Sequence, residues 1–343
     1  MIKQDTENLS LPYGRRVGQP GHKIALQYLK SRMEEIGLKP FHDNDFSLPY
    51  SALHPADGQM VKFTNLAGVI QGTEKAALPV LIGAHYDSAI DAPCADDNAI
   101  SVALILSISE ILMKKTPRRN VIVAFFDAEE KPYFLTENMG SARFCNDHCS
   151  GMNFACVLIL DMIGHDFQTG NRLLDTLFPR IGELLFVLGS ESHSQLPSIV
   201  EKASAETEQL RIITILNRYI GDRSDHHAFR KAGQPYLFIS KGWGRYSHKP
   251  EDTVDWINFS RVNRILDLTL NILKQVDLTP MHRERQTVDP ADCDIRLMRK
   301  AIGWPLPLLL GCMGFYRMSL RSRKDLDTLA EKLSGALQEK PVR

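Results

Sequence analysis

Apolar residues in this chain fall into two alternating patterns, short unbroken runs and longer stretches with a helical repeat. The runs at 63–70, 79–84, 121–126 and 155–160 predict strands. The last three are almost free of polar residues, as strands covered on both faces should be. Residues 212–217 and 235–239 predict two more strands. Helical spacing begins after Gln19-Pro20-Gly21 and runs to about Ile36, where Gly37 supplies a stop. Ile24, Ala25, Tyr28, Leu29, Met33 and Ile36 lie near one face of that helix. Residues 98–115 predict a second helix, striped by Ile100, Ala103, Leu104, Ile108, Ile111 and Leu112. A third is expected over 197–210 and a fourth over 259–274, where Thr269 alone interrupts an inward face of Val262, Ile265, Leu266, Ile272 and Leu273.

Strands alternating with helices predict an α/β fold, a three-layer α/β/α sandwich on a mixed, largely parallel central sheet. The pattern weakens after about Asp277. Residues 281–294 read as a polar loop, 301–318 as an apolar stretch broken by Pro305 and Pro307, and 324–340 as an exposed helix. The expected division is therefore a main domain over 1–280 and a partly helical C-terminal appendage over 281–343.

Composition narrows the classes. The 343 residues are 43% hydrophobic and 24% charged, which is ordinary for a globular protein with a sizeable core. Lys+Arg and Asp+Glu balance at 41 each, so the basic excess expected of a nucleic-acid or membrane-surface partner is missing. The first ten residues show no apolar signal segment, and no stretch approaches the roughly 20 apolar residues of a spanning helix. A cytoplasmic protein is expected, with its six cysteines reduced. Oligomeric state is not legible.

Five short polar stretches carry the candidate chemistry: H-Y-D-S from His85, A-D-D-N from Ala95, D-A-E-E from Asp127, L-D-M-I-G from Leu160 and Y-S-H-K-P-E-D-T from Tyr246. Each supplies an oxygen or imidazole of the kind that suits zinc. His85, Glu129, Glu130 and Asp161 fall at the carboxyl ends of predicted strands, where α/β folds collect ligands. Singly, each stretch has an ordinary reading as well. H-x-D can be a polar turn, Asp96-Asp97-Asn98 a helix N-cap, Glu129-Glu130 a solvated loop, Asp161 a structural turn and His248 an exposed loop residue. In an extended segment Asp87 points the same way as His85 and can orient its imidazole. Adjacent carboxylates such as Glu129 and Glu130 are costly at a strand end unless paired or coordinated. One of them can bind metal while the other takes a proton from water.

In their order and spacing these stretches resemble the zinc aminopeptidase and glutaminyl cyclase family, metallopeptidase clan MH. The resemblance runs from about Arg15 to Ile272 and takes in R-R-V-G-Q-P-G, G-A-H-Y-D-S, A-D-D-N, F-F-D-A-E-E, G-S-A-R-F, L-D-M-I-G, R-S-D-H-H-A-F and S-H-K-P-E-D-T. It implies two zinc ions per chain, with Asp97 bridging, His85 and Asp161 completing one site, and Glu130 and His248 the other. Glu129 is then the general base and Asp87 the partner of His85. The implied activity is hydrolysis of the N-terminal peptide bond by a water shared between the ions, on a peptide with a free N-terminus. Arg223, Asp225 and His226 match a stretch that lines the substrate site in relatives. Asp225 can orient either His226 or a ligand.

Two departures from the family pattern stand out. Family aminopeptidases often carry Tyr directly before the last His, whereas here Ser247 takes that place and Tyr246 is one step removed. The segment 131–139 intervenes before Gly140-Ser141, which resembles the cyclase branch, a one-zinc scaffold that cyclises N-terminal glutamine. A non-catalytic binding relative is the third alternative.

Overall fold

The computed structural model describes residues 1–42, 44–169, 172–207, 209–284, 287–303 and 320–338, with the backbone alone for 172, 174 and 332–338. Its strands are β1 (Lys39–Pro40), β2 (Ser47–Leu53), β3 (Met60–Ile70), β4 (Val80–His85), β5 (Val121–Phe126), β6 (Cys156–Leu160), β7 (Leu184–Leu188), β8 (Arg211–Ile215) and β9 (Tyr236–Ser240). They form one sheet in the order β1-β3-β5-β4-β6-β9-β7-β8, with β2 also paired to β3. β5, β4, β6 and β9 run parallel in the middle. β3 joins β5 and β7 joins β9 antiparallel, so the sheet is mixed as expected.

The helices are α1 (Ile2–Leu9), α2 (Pro20–Ile36), α3 (Ile100–Lys115), α4 (Gly140–His148), α5 (Arg172–Leu177), α6 (Leu196–Ala205), α7 (Asn217–Ile220), α8 (His226–Lys231), α9 (Phe259–Leu278), α10 (Ala291–Ile302) and α11 (Arg323–Gln338). The central strands explain the layering. Val121, Val123 and Phe125 of β5 face one core with Leu29 of α2, Ile100 and Leu104 of α3, and Val262 and Ile265 of α9. Ile122, Ala124 and Phe126 face the other core, with Phe144 of α4 and Phe229 of α8. Successive strand side chains point to opposite faces, so a strand sandwiched by helices must be apolar throughout. Each buried Phe contributes about 1.5–3 kcal/mol relative to exposure.

Helix ends agree with local chemistry. Pro20 opens α2 and Gly37 closes it in the left-handed conformation (φ 83°), donating to the carbonyls of Glu34 and Met33. Thr269 is fully buried inside α9, where its hydroxyl donates back to the Ile265 carbonyl at 2.7 Å.

Several expectations shift. The regular part of α3 starts at Ile100, because residues Ala95–Ala99 form an irregular turn with a cis Asp97–Asn98 peptide. The helix expected to reach 210 ends at Ala205, and Leu210 leads into β8. The polar stretch 281–294 is not all loop: α10 begins at Ala291, and its Cys293 and Leu297 join the same core as Ile212 of β8 and Ile199 of α6. The proline-broken stretch lies mostly at 304–318, outside the described residues, as does Cys312.

Candidate metal centre

The parallel strands β5, β4 and β6 end side by side, and their carboxyl ends deliver the acidic and histidine side chains to one place. His85 is the last residue of β4 and fully buried. Its Nε2 lies 3.3 Å from Asp97 Oδ1, 3.6 Å from Asp161 Oδ1 and 4.0 Å from Glu129 Oε2. The second imidazole arrives from the loop after β9. His248 Nε2 is 3.0 Å from Asp97 Oδ2 and 3.2 Å from Glu130 Oε1. Asp97 thus touches both imidazoles through different oxygens.

Three carboxylates hold this array from behind. Asp87 accepts from the backbone N–H groups of Glu129 (3.1 Å) and Glu130 (3.2 Å), and its Oδ1 lies 3.3 Å from His85 Nδ1. One carboxylate therefore sets the imidazole and the backbone of both glutamates. Asp252 accepts from the N–H groups of Asp96 (2.8 Å) and Asp97 (3.1 Å). Asp127 ties the root of the glutamate loop to His22, Tyr86, Thr64 and Ala128. Arg15, buried with no exposed surface, donates to the carbonyls of Leu9, Tyr86, Pro93 and Cys94 and so clamps the segment between β4 and Asp97.

The electrostatics call for a cation. Burial, then the charge of Asp97, lifts the Glu130 carboxyl to about 7, and burial lifts Glu129 well above the usual carboxylate range and Asp161 above it. Burial opposes protonation of His85, yet the charges and hydrogen bonds of Glu129, Asp161, Asp87 and Asp97 outweigh it and raise its pKa. Hydrogen bonds to Asp97 and Glu130 raise His248 to about 10. Both imidazoles pull Asp97 below its normal value against the effect of burial. Buried His85 Nε2, Glu130 Oε1 and Asp161 Oδ1 stand close to charged neighbours but make no well-directed hydrogen bond. Among the described residues two triplets could each hold a metal ion, His85-Glu129-Asp161 and Asp97-Glu130-His248, with ligand atoms within 4.8 Å of one another. These buried atoms and the mixed nitrogen and oxygen donors fit zinc.

The other sequence candidates divide. Asp225 is fully buried and burial lifts its carboxyl to about 7; both its oxygens lack hydrogen-bond partners, and it interacts electrostatically with His85, Asp161 and Asp87. It does not orient His226. That imidazole bonds Asn217 Oδ1 through Nε2 (3.1 Å) and stacks on Phe238 at 4.3 Å, fully buried in the core. Arg223 is exposed and donates to the Ile220 carbonyl. Tyr246 lies edge-on against Trp256 at 4.5 Å, beneath Arg245. Tyr133, in the segment 131–139, is buried against Phe63. Asp252, Arg15 and Asp127 stood inside the quoted motifs without a role. Only their contacts reveal one.

A mixed α/β sheet with helices on both faces and a cluster of zinc-type ligands at its parallel strand ends is the architecture of the zinc-exopeptidase-type α/β fold. The sequence model of peptidase family M28 matches residues 65–273, and this chain belongs to that family. Among curated relatives, the uncharacterised protein YfbL of Escherichia coli K12 is 27% identical over 216 residues, 57% of this chain and 66% of its own length. A probable zinc metalloprotease of Leptosphaeria maculans is 22% identical over 280 residues, covering 69% of this chain and 63% of its own. The chain thus spans just under two-thirds of each. Among solved structures, a leucine aminopeptidase precursor from Bacteroides thetaiotaomicron superposes with a TM-score of 0.63 at 20% identity, covering 79% of this chain and 95% of that one. Tannerella forsythia glutaminyl cyclase gives 0.62 at 21% identity, covering 79% and 96%. These likenesses establish the fold. Among the described residues no helix is long and apolar enough to cross a membrane.

Proposed function

We propose that the chain is a two-zinc aminopeptidase that removes the N-terminal residue of peptides. The observation that carries the reading is the pair of imidazoles sharing one buried aspartate, each with its own carboxylate partner. His85, Asp97 and Asp161 hold one ion, and Asp97, Glu130 and His248 the other. By distance Glu129 also fits the first group. Asp97 is nearer to His85 Nε2 and alone touches both imidazoles, which supports Asp97 as the bridge and leaves Glu129 free. Zinc bound there supplies Lewis-acid polarisation of a carbonyl oxygen and lowers the pKa of water.

The chain's own residues do the rest. Glu129 accepts the proton of the attacking water and returns it to the leaving amine, a role that suits a carboxyl whose proton affinity burial has raised. Asp87 fixes the His85 ring and the Glu129 backbone together. Asp225, with unpartnered oxygens beside the cluster, receives the α-amino group of the peptide, and Arg223 and Tyr246 are assigned to the outer substrate surface.

A one-zinc glutaminyl cyclase is the second reading, favoured by the segment 131–139 and by the solved cyclase that shares the fold. Assaying a leucine amide beside a glutamine-initiated peptide, on protein of known zinc content, separates them. Zinc-dependent release of leucine supports the peptidase. Cyclisation without amide hydrolysis, at one zinc per chain, rejects it.

A further inference from the structure

His165 lies outside the ligand set and outside every motif singled out in the sequence, yet it is fully buried behind the centre. Its Nδ1 is 2.5 Å from Asp96 Oδ2, and the other oxygen of Asp96 accepts from the Gly164 N–H at 2.6 Å. Asp96 immediately precedes Asp97, and both N–H groups rest on Asp252. The flat face of the His165 ring meets a different segment. A Cβ added to Gly244 would lie 3.2 Å from its Cγ, Nδ1 and Cε1 atoms, so the ring backs directly onto the loop that leads to His248. That loop closes on itself and on the turn that follows β6, because Gly244 N–H donates to Ser247 Oγ and Ser247 Oγ contacts Met162 Sδ.

We propose that His165 is a positioning residue that fixes the separation of Asp97 and His248, its ring edge holding the Asp96 segment and its ring face supporting Gly244. The inference rests on reading Asp97, Glu130 and His248 as one ion's ligands. Its consequence is selective. Asp97 reaches both ions, but His248 serves only the ion it shares with Glu130, so that ion depends most on His165, whereas His85 at the end of β4 and Asp161 just after β6 anchor the other independently of the Gly244 loop. Residues behind a metal centre typically change affinity by roughly 10- to 100-fold when replaced.

Two substitutions divide the contacts. His165→Asn keeps a donor near the Nδ1 position but removes the ring face. His165→Phe keeps the face but removes the donor. Metal-free full-length protein is titrated with Zn2+ against a chromophoric chelator, and thermal unfolding of each metal-free variant is recorded. The expected result is two binding events in the unaltered protein, of which one weakens roughly 10- to 100-fold in either variant while the other, which shares Asp97 but not His248, weakens clearly less. Two unchanged affinities reduce His165 to packing and overturn the proposal. Equal weakening of both events overturns it too, as general loosening. If either variant fails to fold, Gly244→Ala, which presses a methyl group on the ring, gives the same readout. An unaltered protein that binds no zinc, or one ion only, rejects the ligand assignment itself, whereas normal double uptake with unaffected variants rejects the role of His165 alone.

Discussion

Replacing Glu130 with Gln should stabilise the metal-free protein and weaken the zinc-loaded one. Without metal, Glu130 is 7% exposed and its carboxyl is lifted from 4.5 to about 7 by burial and by Asp97. At 1.36 kcal/mol per unit this corresponds to about 3 kcal/mol of destabilisation once the unfolded chain is ionised. The sign follows from proton counting. Between pH 4.5 and about 7 the folded protein binds the extra proton, so stability falls as pH rises, and above about 7 the full penalty applies. A neutral amide of the same shape removes it. Urea unfolding in the presence of a chelator should therefore show Glu130→Gln more stable than the unaltered chain by about 3 kcal/mol at pH 8, with little difference at pH 4. With zinc in excess the order should reverse, because an ion that binds only the folded state adds stability in proportion to its affinity and the variant has lost a ligand. A metal-free variant no more stable than its parent at pH 8 would refute the claim that this carboxylate is crowded by its surroundings and relieved by a cation.

Three further outcomes are expected. Glu129→Gln should reduce peptide hydrolysis by roughly 10²- to 10⁴-fold while zinc uptake, read by competition with a chelator, stays within a few-fold; retained turnover would reassign the base. Zinc binding should release protons, since His248 is held at about 10 by Asp97 and Glu130 and is therefore protonated near neutrality before the metal displaces its proton. Apparent affinity should consequently rise with pH between 6 and 9, and calorimetry in two buffers of different ionisation enthalpy counts the protons. Gly140→Ala should lower stability by about 1–3 kcal/mol in thermal unfolding, because its Cβ would come within 2.0 Å of the Asp127 carbonyl oxygen at the start of α4.

What was legible in the sequence follows from burial. β4, β5 and β6 announce themselves because strands covered on both sides carry almost no polar residues, His85 at the end of β4 being the exception. β2 hides behind Pro49, although Leu48, Tyr50 and Ala52 alternate inward. Only its pairing to β3 on one side makes the proline tolerable. α1 has few apolar residues, yet Ile2 and Leu9 both reach the main core, a spacing too sparse for periodicity to register. α10 is masked by the acidic first turn that suits a helix N-terminus. His85, Glu129, Glu130 and Asp161 were readable because each ends or follows an apolar run, whereas Asp97 and His248 were readable only through the order of the motifs. The supports of these ligands were not readable. Arg15 works through carbonyls contributed by segments as distant as Leu9 and Cys94, Asp87 through the N–H groups of Glu129 and Glu130, and His165 through a ring face under Gly244. Those contacts depend on backbone positions, and backbone positions leave no mark on residue type. Asp225 illustrates the same gap, since the sequence leaves it between His226 and a ligand, and only the fold turns it away from His226 toward the acidic cluster.

Anomalous diffraction at the zinc edge, on crystals of the full chain grown with zinc, tests the central claim most directly. The account predicts two peaks, one bounded by His85 and Asp161, the other by Glu130 and His248, with Asp97 reaching both. A zinc-replete crystal with a single peak, or none, among these five side chains would contradict it.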